Sequence, residues 1–225
     1  MAELRGQLLP VYVVVDESAS MRPNVDELNQ GLRSLHSALL KEPMAAAKVR
    51  MTILGFSNTV IVRLCRADLR TIDHFEPVRT RANTQYGEVF TDLLVRIPSD
   101  VALLKQEGYA VHRPAVFFLS DGQPTDEPSW RSAHAQLVDR HFIAAAPNII
   151  ACGIGAARPS TILAVATSSR FAFVTIQGAA IGPAVAKFCA ALVRSVVQSA
   201  TSVRTARPEL HVERPDGFNL AIDIL

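Results

Sequence analysis

The sequence predicts an α/β fold, in which an open, doubly wound and mostly parallel sheet has helices on both faces and one antiparallel edge strand. Apolar runs rich in β-branched residues alternate with helical patterns along the chain. Two of the runs meet at Ser57 and Asn58, a connection that only a hairpin can make, and this predicts the antiparallel strand. Two other runs finish in the same way, with serine and aspartate side chains around Asp16 and Asp121.

Six apolar runs of strand length form the predicted sheet, and turn residues or charges bound them. They cover residues 10–16, 48–57, 59–65, 113–122, 148–155 and 170–176. The first, PVYVVVD, and the fourth, RPAVFFLSDG, follow the same pattern of an apolar strand that ends in oxygen-bearing side chains. The GIGAAR segment at 153–158 is interpreted as a tight turn, because it lacks the third glycine of a dinucleotide-binding loop.

Helical patterns fill the spaces between these strands. The predicted helices lie at residues 28–39, 84–97, 127–141, 160–166 and 179–199. The first has leucine at positions 28, 32, 35 and 39, and the last has an apolar stripe from Ile181 to Val196. Each of these two helices therefore has one apolar face that can pack against a core.

The chain is long enough to bury one large core. It has 225 residues, of which 49% are hydrophobic and 20% are charged, so a single domain over residues 1–204 is expected. Residues 205–225 are rich in proline and charge. We expect them to form a C-terminal extension that packs an extended segment on the domain.

Charge, hydropathy and cysteine usage argue against several classes of protein. The 23 basic and 21 acidic residues are mixed along the chain, so nothing favours a nucleic-acid partner. No apolar stretch reaches the roughly 18 uncharged residues of a membrane span, and the first ten residues do not resemble a secretory leader. A cytoplasmic protein without a membrane partner is therefore expected. Cys65, Cys152 and Cys189 form no CxxC pair, which argues against disulfides and thiolate zinc sites.

Oxygen-bearing side chains follow the ends of two predicted strands. In DESAS, Asp16, Ser18 and Ser20 alternate directly after the first strand, and in SDG, Asp121 ends the fourth. Alternate residues of an extended turn can point to one side. Such residues serve as a helix cap, as a nucleophile with its base, or as part of a metal site. If the two strands are neighbours where their connections diverge, both carboxylates face one crevice.

A metal site accounts best for the whole set of oxygens. Thr84, before the second predicted helix, adds a hydroxyl that either caps this helix or reaches a metal. Mg²⁺ takes about six oxygen ligands, usually one or two carboxylates with several waters. Since the set contains neither nitrogen nor sulfur, we expect Mg²⁺ or Mn²⁺ here. A shell made largely of neutral hydroxyls leaves the ion open to an anionic ligand from outside.

DESAS, the isolated Thr84 and SDGQPTD together resemble the metal-ion-dependent adhesion site of von Willebrand factor type A domains. The resemblance covers nearly the whole chain, including the hairpin and the ACGIG strand. It implies that Asp16, Ser18, Ser20, Thr84 and Asp121 hold a divalent cation. We expect an Asp or Glu side chain of a protein partner to complete the coordination.

The first motif departs from the family pattern at two positions, which commonly carry threonine and glycine where this chain has Glu17 and Ala19. Neither position supplies a ligand, so the site is expected to form, with Glu17 adding negative charge near its mouth. Within the family, LPVYVVVDESASM, GFSN and RPAVFFLSDGQPTD are most similar to TerY-like proteins of bacterial tellurium-resistance and stress gene clusters. This similarity implies an adaptor in a stress-response or defence assembly, with a protein kinase or a metal-dependent protein phosphatase as partner.

Other polar residues have structural interpretations. Asp126 is expected to form a turn or to cap the stretch that follows Pro128, and the less favoured alternative is that it supports a ligand of the metal. The six histidines, including His134, have no metal-ligand spacing and are expected to be structural. Arg79 and Arg81 precede Thr84 and either form a solvated loop or steer an acidic ligand.

Two enzyme classes fit the motifs less well. A serine hydrolase needs glycines around its nucleophile and a histidine base, and DESAS has no such glycines. An aspartyl-phosphate enzyme with Asp16 as nucleophile usually has a second acid two residues later, where this chain has Ser18. We therefore expect a non-enzymatic, metal-dependent interaction domain. The alternatives are a scaffold whose metal staples the loops and, less favoured, a phosphotransfer enzyme.

Overall fold

The strands of the protein form one mixed sheet in the part of the chain that the structure, a computed structural model, describes: residues 5–176, 179–202 and 210–223. The strands are Gly6–Asp16 (β1), Val49–Phe56 (β2), Val60–Ala67 (β3), Tyr109–Val111 (β4), Ala115–Ser120 (β5), Asn148–Gly153 (β6), Ala172–Thr175 (β7) and Phe218–Leu220 (β8). Their order is β3-β2-β1-β5-β6-β7-β8, with β4 beside the start of β1.

Helices cover both faces of this sheet. The α-helices are Val25–Leu40 (α1), Pro43–Lys48 (α2), Tyr86–Gln106 (α3), Trp130–Val138 (α4), Pro159–Val165 (α5) and Ile181–Ser202 (α6). Residues of α1, α2 and α6 belong to one buried apolar cluster, and residues of α3, α4 and α5 belong to the other. Among the described residues, no helix has the length and apolar character needed to cross a membrane.

Strand β1 lies in the middle of the sheet and is buried on both sides. Val11, Val13 and Val15 contribute to the first cluster, whereas Tyr12 and Val14 contribute to the second. Side chains alternate across a strand, so the unbroken apolar run supplies two cores at once.

The connections diverge between β1 and β5, which pair in parallel with Val15 opposite Leu119. The chain leaves β1 through α1 to reach β2 on one side of the pair. It leaves β5 through α4 to reach β6 on the other side, and α4 covers the opposite face. This point is where an open α/β sheet forms a ligand-binding crevice at the carboxyl ends of its strands.

The predicted fold class is confirmed, including the antiparallel β2–β3 hairpin at one edge. The sequence did not predict the short strands β4 and β8, and β8 adds a second antiparallel pair, with β7 at the other edge. Helix α4 is shorter than the predicted 127–141, because the chain turns before it at Asp126 and after it at Asp139.

The C-terminal segment contributes to the sheet and to the core. Strand β8 lies within the predicted extension, and Leu210 and Val212 pack against the first cluster. The expected extended segment, NLAIDIL, begins within β8 at Asn219 and Leu220 and continues into a 3₁₀ turn over Ala221–Asp223. The proposed boundary near residue 204 lies outside the described residues.

Candidate metal centre

Asp16 is the last residue of β1 and lies at the centre of the candidate site. It is completely buried. One carboxylate oxygen accepts a hydrogen bond from the backbone N–H of Ser18 at 2.8 Å, and the other accepts from the hydroxyl of Ser120 at 2.6 Å. Burial raises the pKa of Asp16 to about 6, although these hydrogen bonds favour the charged form. The site thus orients a carboxylate that forms no ion pair with any residue that the structure describes.

Two serines connect the DESAS loop to Asp121, directly after β5. The hydroxyls of Ser18 and Ser20 are 3.0 Å apart, and the Ser20 hydroxyl donates to Asp121 Oδ1 at 2.8 Å. Asp121 is buried, and burial also raises its pKa. The two carboxylates and two hydroxyls predicted from the sequence therefore lie in one hydrogen-bonded group.

Thr84 enters this group from a separate loop. Its side chain is buried, at 6% exposure, and a Cβ placed on Gly122 would lie 3.4 Å from Thr84 Oγ1 and 4.0 Å from Asp16 Oδ2. The threonine hydroxyl and the aspartate carboxylate thus both lie within 4.0 Å of one point beside Gly122. The α3 N-cap is Gln85, so Thr84 is not the cap of this helix. Within the described residues, no hydrogen bond occupies the Thr84 hydroxyl.

Asp126 holds the Thr84 loop against the Asp121 loop. Its carboxylate accepts from the backbone N–H groups of Tyr86 and Gly87, at 3.1 and 2.7 Å, and so caps the start of α3. The neighbouring Thr125 donates its backbone N–H to the carbonyl of Thr84 at 2.8 Å. The expected turn at Asp126 is present, since Ser129 donates its backbone N–H to the Asp126 carbonyl, whereas the Asp126 side chain caps a helix that begins 40 residues earlier.

Glu17 does not add charge to the mouth of the site. It is completely buried, and the Arg63 side chain of β3, 3% exposed, donates to both of its carboxylate oxygens at 2.7–2.9 Å. A Cβ on Gly55 would lie 2.0 Å from Glu17 Oε1, so the glutamate needs a glycine in β2 beneath it. The sequence-based expectation was wrong because the arginine that neutralises Glu17 comes from a strand far along the chain.

Arg81 forms a second contact to Glu17, at 3.3 Å, while its side chain stays 43% exposed. Arg79 makes no ion pair within the described part of the chain. The two arginines thus differ: Arg81 joins the Thr84 loop to the DESAS loop, and Arg79 keeps its charge free on the exposed loop.

The donor set fits a hard divalent cation. It consists of two carboxylates and three hydroxyls, and no ion pair in the described residues involves Asp16 or Asp121. Two buried carboxylates without a basic neighbour carry a desolvation cost that a cation can offset. No group of three or more His, Cys, Asp or Glu that could hold a metal occurs among the described residues, so a metal here depends on the hydroxyls.

The two buried histidines have structural partners. His36 bonds to the backbone carbonyl of Leu69 at 3.0 Å, and His134 bonds to that of Val165 at 2.8 Å. Neither is therefore placed as a base for Ser18 or Ser20.

Comparison with known proteins identifies the fold. No family model matches this sequence, and no curated protein matches it, but solved structures do. The pilus adhesin SpaC of Lactobacillus rhamnosus GG in its open conformation matches with a TM-score of 0.63 and 12% identity, over 85% of this chain and 30% of the adhesin. Proximal thread matrix protein 1 of the mussel byssus, with a zinc-occupied MIDAS motif, matches with a TM-score of 0.59 and 15% identity, over 87% of this chain and 49% of that one.

A third match is to a von Willebrand factor type A protein from Catenulispora acidiphila, with a TM-score of 0.51 and 12% identity. It covers 86% of this chain and 43% of that protein, so this chain spans half or less of the length of all three relatives. At such low identity the likeness shows the fold alone. The chain has the fold of a von Willebrand factor type A domain, a mixed α/β sheet with helices on both faces.

Proposed function

We propose that this chain is a divalent-metal-dependent protein-interaction domain, without catalytic activity. Asp16, Ser18, Ser20, Thr84 and Asp121 would hold Mg²⁺ or Mn²⁺. One observation carries the proposal: two buried carboxylates lie in a group of hydroxyls at the crevice between β1 and β5, and no basic side chain of the described residues pairs with them.

The partner group follows from the chemistry of this donor set. Three neutral hydroxyls reduce the charge of an ion less than carboxylates would. A bound ion would therefore attract an Asp or Glu side chain of a partner. The free cation of Arg79 on the adjoining loop supports the same preference, because positive charge near a binding site speeds the approach of acidic partners.

The hydrogen bonds between the loops disfavour a purely structural metal. Ser20 donates a hydrogen bond to Asp121, and Thr125 and Asp126 both bond to the segment that begins at Thr84. A purely structural metal would add little stability to loops that are held in this way. A metal at this place is therefore better explained by the partner group that it binds.

The resemblance of the sequence to TerY-like proteins suggests the biological setting. We propose an adaptor of a bacterial stress-response or defence assembly, acting in the cytoplasm. A protein kinase or a metal-dependent protein phosphatase that presents an acidic residue is the expected partner.

Affinity capture with purified protein tests the proposal. Wild type and Asp121→Ala are immobilised, and bound proteins are compared in saturating Mg²⁺ and in excess chelator, beside thermal melts under both conditions. Partners should bind only to wild type with Mg²⁺, while the melting temperature changes little. Equal loss of capture and of stability on chelation would favour a purely structural metal, and capture that ignores both chelator and variant would refute the proposal.

A further inference from the structure

A second candidate binding site lies at the opposite end of the sheet from the proposed metal. A cavity of about 600 Å³ opens between α3, the residues that lead into β5, and the loop before β6. The metal loops follow the carboxyl ends of β1 and β5, whereas this cavity lies at the amino end of β5. Its volume falls in the range of about 300–1,000 Å³ that small-molecule sites occupy.

The walls of the cavity are mainly apolar. Leu94, Pro98 and Val101 supply one wall, from successive turns of α3, and Ile143 lies on the opposite loop. Phe142 also lines the cavity and is 65% exposed, although a large aromatic ring of this kind is usually much more buried. The exposed ring extends the apolar surface of the cavity to its mouth.

The titratable residues of the lining are all basic, and two of them, Lys105 and Arg113, carry a positive charge at neutral pH. Lys105, His112 and Arg113 line the cavity, and its lining contains no aspartate or glutamate. Neither Lys105 nor Arg113 forms an ion pair within the described part of the chain. The Arg113 guanidinium donates to the carbonyl of Ala146, which fixes the cation at the wall.

Two further basic side chains, Lys48 and Arg140, lie near the cavity. Burial and the nearby Arg140 lower the pKa of Arg113, and burial and the nearby Lys48 lower the pKa of His112. In both cases the neighbouring charge is positive, so the potential at the cavity favours an anion.

We propose that this cavity binds an amphipathic organic anion, with an apolar body inside the cavity and a carboxylate near Lys105 and Arg113. The site is separate from the metal centre and does not depend on the proposed function.

Calorimetric titration of the full chain with decanoate tests the proposal, with decanol as the neutral ligand of equal length. Decanoate should bind once per chain, at least about tenfold more tightly than decanol, a difference of about 1.4 kcal/mol. The aromatic acid 2-naphthoate distinguishes a site for a straight chain from a site for a ring, and saturation by either acid supports the proposal. Absence of saturable binding by both acids, or equal binding of decanol, would overturn it.

Two variants locate the binding. Ala102→Trp places a large side chain at the exposed edge of the cavity and should weaken decanoate binding more than tenfold. Val95→Trp is the matched control, since Val95 is exposed on the same helix outside the lining, and it should change nothing. Lys105→Gln should weaken decanoate and leave decanol unchanged, a result that holds whether or not Ala102→Trp folds. Unchanged decanoate binding in Ala102→Trp and Lys105→Gln would place the ligand elsewhere and refute the assignment.

Discussion

Replacing Arg63 with methionine should destabilise the protein strongly, because it leaves the Glu17 carboxylate buried without its main partner. Arg63 donates to Glu17 through Nε at 2.9 Å and through the second guanidinium nitrogen at 2.7 and 2.9 Å. Both side chains are almost completely inaccessible to solvent. The perturbation therefore removes three short, charge-assisted hydrogen bonds from a dry site.

The expected loss is about 3–5 kcal/mol of unfolding free energy, the usual cost of removing one partner of a buried ion pair. This is a large part of the roughly 5–15 kcal/mol that stabilises a domain. Arg81 can recover little of the loss, since its contact to Glu17 is 3.3 Å long and its side chain is half exposed. The contact of Arg63 to the exposed Glu76 adds little to the loss for the same reason.

Removing both charges should cost much less than removing one. Methionine is an apolar side chain that matches glutamate in length and follows the aliphatic part of arginine, and replacing a whole buried pair by apolar groups is often close to neutral. The double variant Glu17→Met/Arg63→Met should therefore be more stable than either single variant.

A double-mutant cycle measured by urea unfolding in excess chelator checks this reasoning. The four proteins are wild type, Glu17→Met, Arg63→Met and the double variant, with the slope of each transition compared to verify two-state unfolding. The coupling energy should exceed about 2 kcal/mol. Additive losses, or a loss below about 1 kcal/mol for Arg63→Met, would show that the pair is solvated and that the burial argument is wrong.

Four further predictions concern the metal centre and the core. Thr84→Ala should remove most metal-dependent partner binding while costing about 1 kcal/mol of stability, and Thr84→Ser should keep both; equal binding by the two variants would contradict a ligand role. Asp126→Asn should weaken Mg²⁺ binding in calorimetry without removing any ligand, because it loosens the start of α3; unchanged affinity would show that the cap does not position Thr84. The metal-free protein should prefer Mg²⁺ or Mn²⁺ to Zn²⁺ at this site, and tight Zn²⁺ binding that survives Asp121→Ala would show that the ligand set is wrong. Burial lowers the pKa of His134, so the stability that its neutral ring contributes is present above about pH 6.5 and is lost as the pH falls below this value. His134→Gln should accordingly cost stability at pH 7.5 and less at pH 5.5 in urea unfolding, whereas a cost independent of pH would contradict the shift.

The central part of the fold could be predicted because local patterns determine it. The valines before Asp16 and the apolar run before Asp121 indicate two buried strands, and amphipathic helices between the strands indicate parallel pairing. The carboxyl ends of neighbouring parallel strands lie at one edge of a sheet, so the meeting of Asp16 and Asp121 followed from the topology. Strand β8 has only three residues, too few for a periodic pattern.

Contacts between distant segments could not be predicted in the same way. Ser120 holds the Asp16 carboxylate, and Asp126 caps a helix that begins 40 residues earlier. Neither contact has a local sequence pattern. Ser120 does stand directly before Asp121 in the SDG motif, and this position is the one local signal for its contact with Asp16. The expectation that Glu17 adds charge at the mouth of the site was wrong for a related reason. An isolated glutamate is usually exposed, and the partner of Glu17, Arg63, lies 46 residues away in the sequence.

The buried Glu17–Arg63 pair also affects the charge balance of the proposed metal centre. Glu17 stands between Asp16 and Ser18, so a free carboxylate there would place a third negative charge beside the two that face the crevice. The Glu17 side chain instead lies over Gly55, where Arg63 binds its carboxylate and neutralises it inside the domain. The crevice thus keeps two carboxylates, which formally match a divalent ion, and a hydroxyl shell that leaves the ion able to bind an outside anion. Arg63→Met should therefore weaken the capture of an acidic partner in Mg²⁺ even under conditions where the variant is fully folded.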